Sequence, residues 1–253
     1  MLKQIEETVI EASKIFHNKV QERDVSLKSS FRDLVTIYDK MVQDFLFDKF
    51  SVMFPTVGFL GEEKLNKPGK DGTLIIDPID GTLNFVKGFG HSAISIGYIV
   101  DGQIQLGVIY DPYKKEMFSA ERGKGATLNG QRIHVMDLPL DQSVALVGTA
   151  VYRPELAKPS FDLMYRLQQQ IMDVRRFGTA SLDFCDVACG RANMFFEYEL
   201  APWDIAAGSL IAEEAGAIVS DMEGKPLQFE TNTSIAVATP GTYDALMKAI
   251  RNE

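Results

Sequence analysis

Asp101-Gly102 lies between two runs patterned for strands, SIGYIV before it and QIQLGVIY after it. Two successive residues that tolerate a left-handed backbone, flanked by such runs, form a two-residue hairpin. Asn129-Gly130 repeats the signal. The stretch from Ser92 to Val135 is therefore expected to be β-rich and antiparallel. Upstream, Val57-Gly58-Phe59-Leu60 and Thr73-Leu74-Ile75-Ile76 read as short strands. Ahead of these, Leu2, Ile5, Val9, Ala12, Phe16 and Val20 recur at helical spacing and predict a helix over Leu2–Arg23. A second helix fits Asp39–Phe50, with Val42, Phe45, Leu46 and Phe50 on one side. The polar segment Asp24–Asp33 between them, with Lys28-Ser29-Ser30, is expected to be an exposed loop.

From about Val144 the pattern alternates. VALVGTAV is a strand and Pro154–Met172 a helix; Ala180–Cys189 is a short helix and NMFFEY a strand. Trp203–Ala215 is a helix, AIVSD and SIAVA are strands, and Thr242–Arg251 is a last helix. Strands interleaved with helices point to an α/β half. The soft boundary near Leu138–Ser143 gives an N-terminal α+β half over 1–140 and a C-terminal α/β half over 141–253 that share an interface.

A chain of 253 residues suits one large domain or two closely packed halves. With 45% hydrophobic and 24% charged residues, disorder, collagen-like repeats and disulfide scaffolds are excluded. No apolar run approaches the roughly 18 residues that a membrane span requires. MLKQIEETVIEASK has no apolar signal core, so a cytoplasmic location is expected. A net charge of −9 argues against wrapping nucleic acid, whose phosphates need Lys and Arg. Two cysteines and three histidines leave little for zinc or an iron–sulfur cluster. A metal here would be held by carboxylates, which favours Mg²⁺, Ca²⁺ or Mn²⁺.

The chemistry concentrates in TLIIDPIDGTLNF, Thr73–Phe85. A hydrophobic strand is expected to end in Asp77, which Pro78 keeps extended. Asp80 follows, and a turn of this shape can aim both carboxylates at one point. Such a pair repels by about 4 kcal/mol at ~4 Å and an effective dielectric near 20, so one is protonated or a cation lies between them. Gly81-Thr82 then opens a short helical turn, whose free N–H groups can cradle phosphate oxygens. Glu62-Glu63 closes another short strand, and Asp204 sits at a helix start after Ala201-Pro202. Glu62, Asp77, Asp80 and Asp204 together form the kind of carboxylate set that a two-metal phosphoryl-transfer site uses.

These motifs resemble the inositol monophosphatase family of Mg²⁺-dependent, lithium-sensitive sugar phosphatases, over nearly the whole chain. The likeness rests on GEE at Gly61–Glu63, DPIDGTLNF at Asp77–Phe85, GTASLD at Gly178–Asp183, WDIAAG at Trp203–Gly208 and EAG at Glu214–Gly216. KSSFRDLVTIYD at Lys28–Asp39 matches the family's mobile loop and the helix after it. The resemblance implies the layered αβαβα sandwich of the inositol monophosphatase / fructose-1,6-bisphosphatase superfamily, two or three Mg²⁺ ions and a homodimer. It also implies roles. Glu62, Asp77 and the Ile79 carbonyl would hold one metal and Asp77, Asp80 and Asp204 a second, with Glu62 reaching a third through water. Gly81 and Thr82 would bind phosphate, Thr82 and Asp39 would orient the attacking water, and water held by Asp80 would protonate the leaving oxygen. Lys28 would be the loop lysine near the metals, and Glu197, Ala180 and Thr149 would contact the sugar hydroxyls. The implied substrate is a small phosphorylated polyol, with inositol 1-phosphate the default. Relatives with the same metal site act on fructose 1,6-bisphosphate, NADP or 3′-phosphoadenosine 5′-phosphate, and some members bind other proteins, including transcription machinery.

The sequence departs from the family pattern at Phe31-Arg32, at Gly90-His91-Ser92 and at Ala217. A haloacid-dehalogenase-type reading needs D-x-D, whereas this segment has D-x-x-D. Cys185 and Cys189 share a helix face with Leu182 and read as core, and His91 reads as structural. Arg175-Arg176 is either a solvated pair or a contact for a second phosphate.

Overall fold

The computed structural model describes residues 1–17, 25–28, 34–63 and 65–253. Residues 18–23 of the expected first helix and most of the Asp24–Asp33 segment, including Ser29, Ser30, Phe31 and Arg32, lie outside these. Within them, α1 (Leu2–Ala12) buries Ile5, Val9 and Ala12 on one face. It gives way to a 3₁₀ turn over Ser13–His17, so the α-helix is shorter than the periodicity predicts. The Ser13 hydroxyl donates back to the Ile10 carbonyl at 2.8 Å, a local bond that competes with regular helix.

The strands β1 (Val25–Leu27) and β2 (Leu34–Thr36) pair antiparallel and lead into α2 (Ile37–Met53). This helix starts before Asp39 because Thr36 caps it. The Thr36 hydroxyl accepts from the Asp39 N–H at 3.3 Å, and Asp39 Oδ2 accepts from the Thr36 N–H at 2.7 Å.

Eight strands form the larger sheet: β3 (Gly58–Gly61), β4 (Leu65–Lys67), β5 (Thr73–Asp80), β6 (Ala93–Val100), β7 (Gln103–Asp111), β8 (Glu116–Glu121), β9 (Gly125–Leu128) and β10 (Gln131–Arg132), in the order β10-β9-β8-β7-β6-β5-β3-β4. Among the described residues of this sheet, β3 and β5 pair parallel and the other neighbours antiparallel. Both hairpin signals are realised, with Asp101, Gly102, Asn129 and Gly130 all at positive φ. The short helix α3 (Thr82–Lys87) follows β5.

The second sheet joins β11 (Val144–Val147), β12 (Asp173–Arg175), β13 (Met194–Leu200), β14 (Ile218–Ser220) and β15 (Thr233–Ala238) in the order β12-β11-β13-β15-β14. Around it lie α4 (Pro154–Gln168), α5 (Ala180–Ala188), α6 (Pro202–Glu214) and α7 (Pro240–Arg251).

Strand alternation divides the core into slabs. Leu74 and Ile76 face α1 and α2, where Val9, Val42 and Leu46 cover them. Ile75 and Phe118 face the other way, onto Leu182 of α5 and Ala206, Ala207 and Leu210 of α6. The opposite sides of these two helices, through Phe184 and Ile205, pack on Phe195, Ile235 and Val237 of the second sheet. The outer face of that sheet, with Met194 and Phe196, is covered by Leu163 of α4 and Leu246 of α7. The architecture is therefore the layered αβαβα sandwich. No helix among the described residues is long and apolar enough to cross a membrane.

The middle layer sits unusually close to the larger sheet. A Cβ on Gly97 would lie 2.7 Å from Ala206 Cβ, and one on its cross-strand partner Gly107 would lie 2.6 Å from the Ala207 carbonyl oxygen. Two facing glycines thus let the backbone of α6 settle onto β6 and β7. That seating fixes where the first turn of α6, with Asp204, meets the end of β5.

Candidate metal and phosphate site

The strand expected to end at Asp77 continues to Asp80, with a register irregularity against β6 between those two residues. Pro78 has no N–H for a regular ladder, and the break falls there. It lets Asp77 and Asp80 share one end of the strand. The Asp77 carboxylate accepts from the Ile79 N–H at 3.1 Å, and Asp80 Oδ2 accepts from the Ser181 N–H at 2.7 Å in the first turn of α5. Asp204 Oδ2 accepts from the Ala201 N–H at 2.7 Å, which holds its side chain at the start of α6. One carboxylate oxygen from each of Asp77, Asp80 and Asp204 lies within 4.8 Å of the others.

The electrostatics of this trio are adverse without a cation. Burial, then Glu62, Asp80 and Asp204, push the Asp77 carboxyl well above its ordinary value. Asp204 is raised in the same way, first by burial and then by Asp80 and Glu62. Asp80 is raised by burial, against hydrogen bonds from Ser181, Gly81 and Ala180. Two buried carboxyl groups and a half-buried one, with spare oxygen lone pairs, fit a hard divalent ion, which prefers oxygen ligands.

Glu62 follows β3 directly and lines the same cleft, outside the close trio. Its Oε1 accepts from Lys28 Nζ at 2.8 Å, and Lys28 pairs with Glu63 as well. Burial moves the Glu62 carboxyl up to about 7 against the pull of Lys28. The Thr82 hydroxyl lies 3.1 Å from the Ile79 carbonyl oxygen and 3.4 Å from Asp39 Oδ1. Asp39 is fully buried, and burial raises its carboxyl to about 6 against the bonds from Thr36.

Gly81 precedes α3 with φ at +80°, and a Cβ there would lie 2.3 Å from Thr179 Oγ1. Thr179 donates to the His91 carbonyl at 2.8 Å, Ser92 to the Gly81 carbonyl at 3.0 Å, and Asn84 to the Phe177 carbonyl at 2.8 Å. Sequence reasoning gave Asn84, Ser92 and Thr179 no structural part, although two of them lie in quoted motifs. The His91 ring lies tilted against Phe177, with ring centroids 5.2 Å apart. Cys185 is buried and Cys189 half-buried, both as free thiols.

The far wall belongs to the segment after β11. Glu197 Oε1 accepts from the Ala150 N–H at 2.8 Å, and Ala150 adopts a left-handed φ of +44°. Its carboxylate lies directly over Gly148, where a Cβ would come within 1.8 Å of it. Thr149 between them accepts from Arg176 Nε at 3.1 Å. Three consecutive residues thus hold an anion and a cation on one wall. Burial lifts the Glu197 carboxyl to about 7. Arg175 points elsewhere, to Asp173. Ala180, Glu197, Arg176 and the acidic residues enclose one cleft of about 810 Å³. Asp183 also lines it, a residue known from the sequence only as the last letter of GTASLD.

A five-layer α/β sandwich with three carboxylates gathered where a strand end meets two helix starts defines a class of proteins suited to divalent metals and phosphate. The sequence profile of the inositol monophosphatase family matches residues 1–253. The chain belongs to that family. It is 36% identical over 238 residues to the Nus factor SuhB of Pasteurella multocida, covering 93% of this chain and 88% of that one. It is 36% identical over 203 residues to the fructose-1,6-bisphosphatase/inositol-1-monophosphatase of Thermotoga maritima, covering 80% and 77%. Among solved structures, an IMPase from Thermotoga maritima superposes with a TM-score of 0.91 at 30% identity, covering 99% of this chain and 96% of that one. SaIMPase-II with inositol monophosphate bound gives 0.81 at 29% identity, covering 100% and 93%.

Proposed function

We propose that this chain is a Mg²⁺-dependent phosphatase that hydrolyses phosphate monoesters of small polyols, inositol 1-phosphate foremost. The observation that carries this reading is the Asp77–Asp80–Asp204 trio beside Gly81-Thr82, at one end of a cleft whose far wall presents Glu197. Glu62, Asp77 and the Ile79 carbonyl would hold one ion, Asp77, Asp80 and Asp204 a second, and Glu62 through water a third. Bound Mg²⁺ lowers the pKa of water and neutralises charge on the phosphate and on the departing oxygen.

The chain supplies position and proton handling. Backbone N–H groups at Gly81 and Thr82 hold the phosphate oxygens. The Thr82 hydroxyl, set between Asp39 and the Ile79 carbonyl, orients the water that attacks phosphorus in line. The P–O ester bond breaks, and the leaving oxygen takes a proton from a water held by Asp80. Lys28 screens Glu62, and Thr149, Ala180 and Glu197 position the polyol. Fructose 1,6-bisphosphate, NADP and 3′-phosphoadenosine 5′-phosphate are the alternative substrates for the same machinery. The test is a phosphate-release screen over these esters. Release is expected with Mg²⁺, stopped by EDTA and inhibited by Li⁺. Asp77→Asn should lower kcat by about 10³-fold or more, since a charge shared by two ions is lost. Undiminished turnover in that variant overturns the site assignment.

The name carried by the SuhB relatives favours a second reading, protein binding in transcription. A pull-down with the Asp77→Asn protein separates the two, because only binding should survive that substitution.

A further inference from the structure

Every residue of α5, from Ala180 to Ala188, is buried. Leu182 and Cys185 on one side meet the larger sheet, and Phe184 and Val187 on the other meet the second sheet. Asp183 stands among them, 2% exposed, and its Oδ1 has no hydrogen-bond partner. A buried carboxylate without a donor is unfavourable for folding. Its charged surroundings add to that cost: Asp186, Glu197 and Asp80 are like-signed, and Arg176 offsets them in part. The helix start gives partial relief through the dipole. Asp183 is not the cap, however, because its own N–H already bonds the Thr179 carbonyl at 3.0 Å. It also stands outside the close carboxylate trio.

What Asp183 does have is a place on the cleft, on the side of Glu197. We propose that Asp183 is a specificity-determining residue, accepting a hydrogen bond from a substrate hydroxyl next to the one that Glu197 takes. This rests on the phosphatase reading and narrows it. Both carboxyl groups line the one cleft and lie within electrostatic reach of each other, an arrangement that would match hydroxyl donors on neighbouring carbons. Arg176, fixed on Thr149, supplies positive charge to both members of the pair. The ligand chemistry selected is a polyol with vicinal hydroxyls. An aryl ester, with no hydroxyl to offer, gains nothing from Asp183.

The test compares inositol 1-phosphate with p-nitrophenyl phosphate at saturating Mg²⁺, in wild type, Asp183→Ala and Asp183→Asn. Asp183→Ala is expected to raise KM for inositol 1-phosphate about 10-fold with kcat within about 2-fold of wild type, and Asp183→Asn, which keeps a carbonyl acceptor, about 3-fold. The kcat/KM for p-nitrophenyl phosphate should stay within about 2-fold in both. Losses that move together for the two esters, or an unchanged KM for inositol 1-phosphate, overturn the inference. Should Asp183→Ala fail to fold, the isosteric Asp183→Asn decides by the same criterion. Wild-type protein that hydrolyses p-nitrophenyl phosphate but not inositol 1-phosphate overturns the inference and the choice of inositol 1-phosphate, and leaves the assignment as a phosphatase standing. Wild-type protein that hydrolyses neither overturns both.

Discussion

Glu197 makes the energetic situation of the single residues in this cleft measurable. Its carboxyl is held near 7 against an ordinary 4.5, with burial the principal cause. Below about pH 4.5 it is protonated in both folded and unfolded chains and no penalty exists. As pH rises toward 7 the unfolded chain has released the proton and the folded chain has not, so stability falls through that window and the loss is complete above it. Allowing for solvent at the cleft wall, the loss amounts to about 2 kcal/mol. In EDTA, Glu197→Gln should therefore raise Tm by about 5 °C at pH 8 and leave it unchanged at pH 4.5. Equal Tm values at pH 8 would contradict this. The acidic residues themselves were readable as letters: Glu62, Asp77, Asp80, Asp204 and Glu197 all stood in quoted motifs or at matched positions. Their environments were not. That Lys28 bonds Glu62, for example, depends on a neighbour 34 positions away along the chain.

At the level of elements, local chemistry was legible wherever it is decided locally. Asp101-Gly102 and Asn129-Gly130 fixed two turns because left-handed φ values admit few residue types. The T-x-x-D box at Thr36–Asp39 is also present in the sequence and sets the start of α2 ahead of Asp39, whereas the apolar face begins only at Val42 and by itself points to a later start. The prolongation of β5 through Asp80 was hidden by Pro78, which usually marks an end and here marks an irregularity. The seating of α6 was hidden as well, because a glycine in a strand does not say which helix approaches it. That seating is testable. Gly97→Ala puts a methyl 2.7 Å from Ala206 Cβ, and the helix must shift. Overpacking of this kind costs about 1–3 kcal/mol, to be read from the midpoint of urea unfolding. A midpoint equal to wild type would mean that α6 yields freely.

Across the whole molecule, the layers explain why the chain holds a cluster of charges that oppose its own folding. The α5–α6 layer is clasped from both sides, so Asp80, Asp204 and Asp77 stay close whether or not a cation is bound. Metal binding should then appear as stabilisation of a preformed arrangement. At Mg²⁺ concentrations about 100-fold above Kd the gain is about 2.7 kcal/mol. For a chain of this size that corresponds to a rise of roughly 5–10 °C in Tm. Asp77→Asn should reverse the pattern: more stable than wild type in EDTA, through loss of a buried like charge, and insensitive to Mg²⁺. Calorimetry with and without chelator checks both halves of that statement.

The trio has a consequence for biosynthesis. Asp77 and Asp80 leave the ribosome early, and Asp204 emerges only when most of the polypeptide has been made. A chain interrupted before Pro202 carries two of the three carboxylates and lacks the helix that delivers the last one. Premature termination therefore yields no partly competent fragment, and the ion-binding centre comes into being only once translation has passed Asp204.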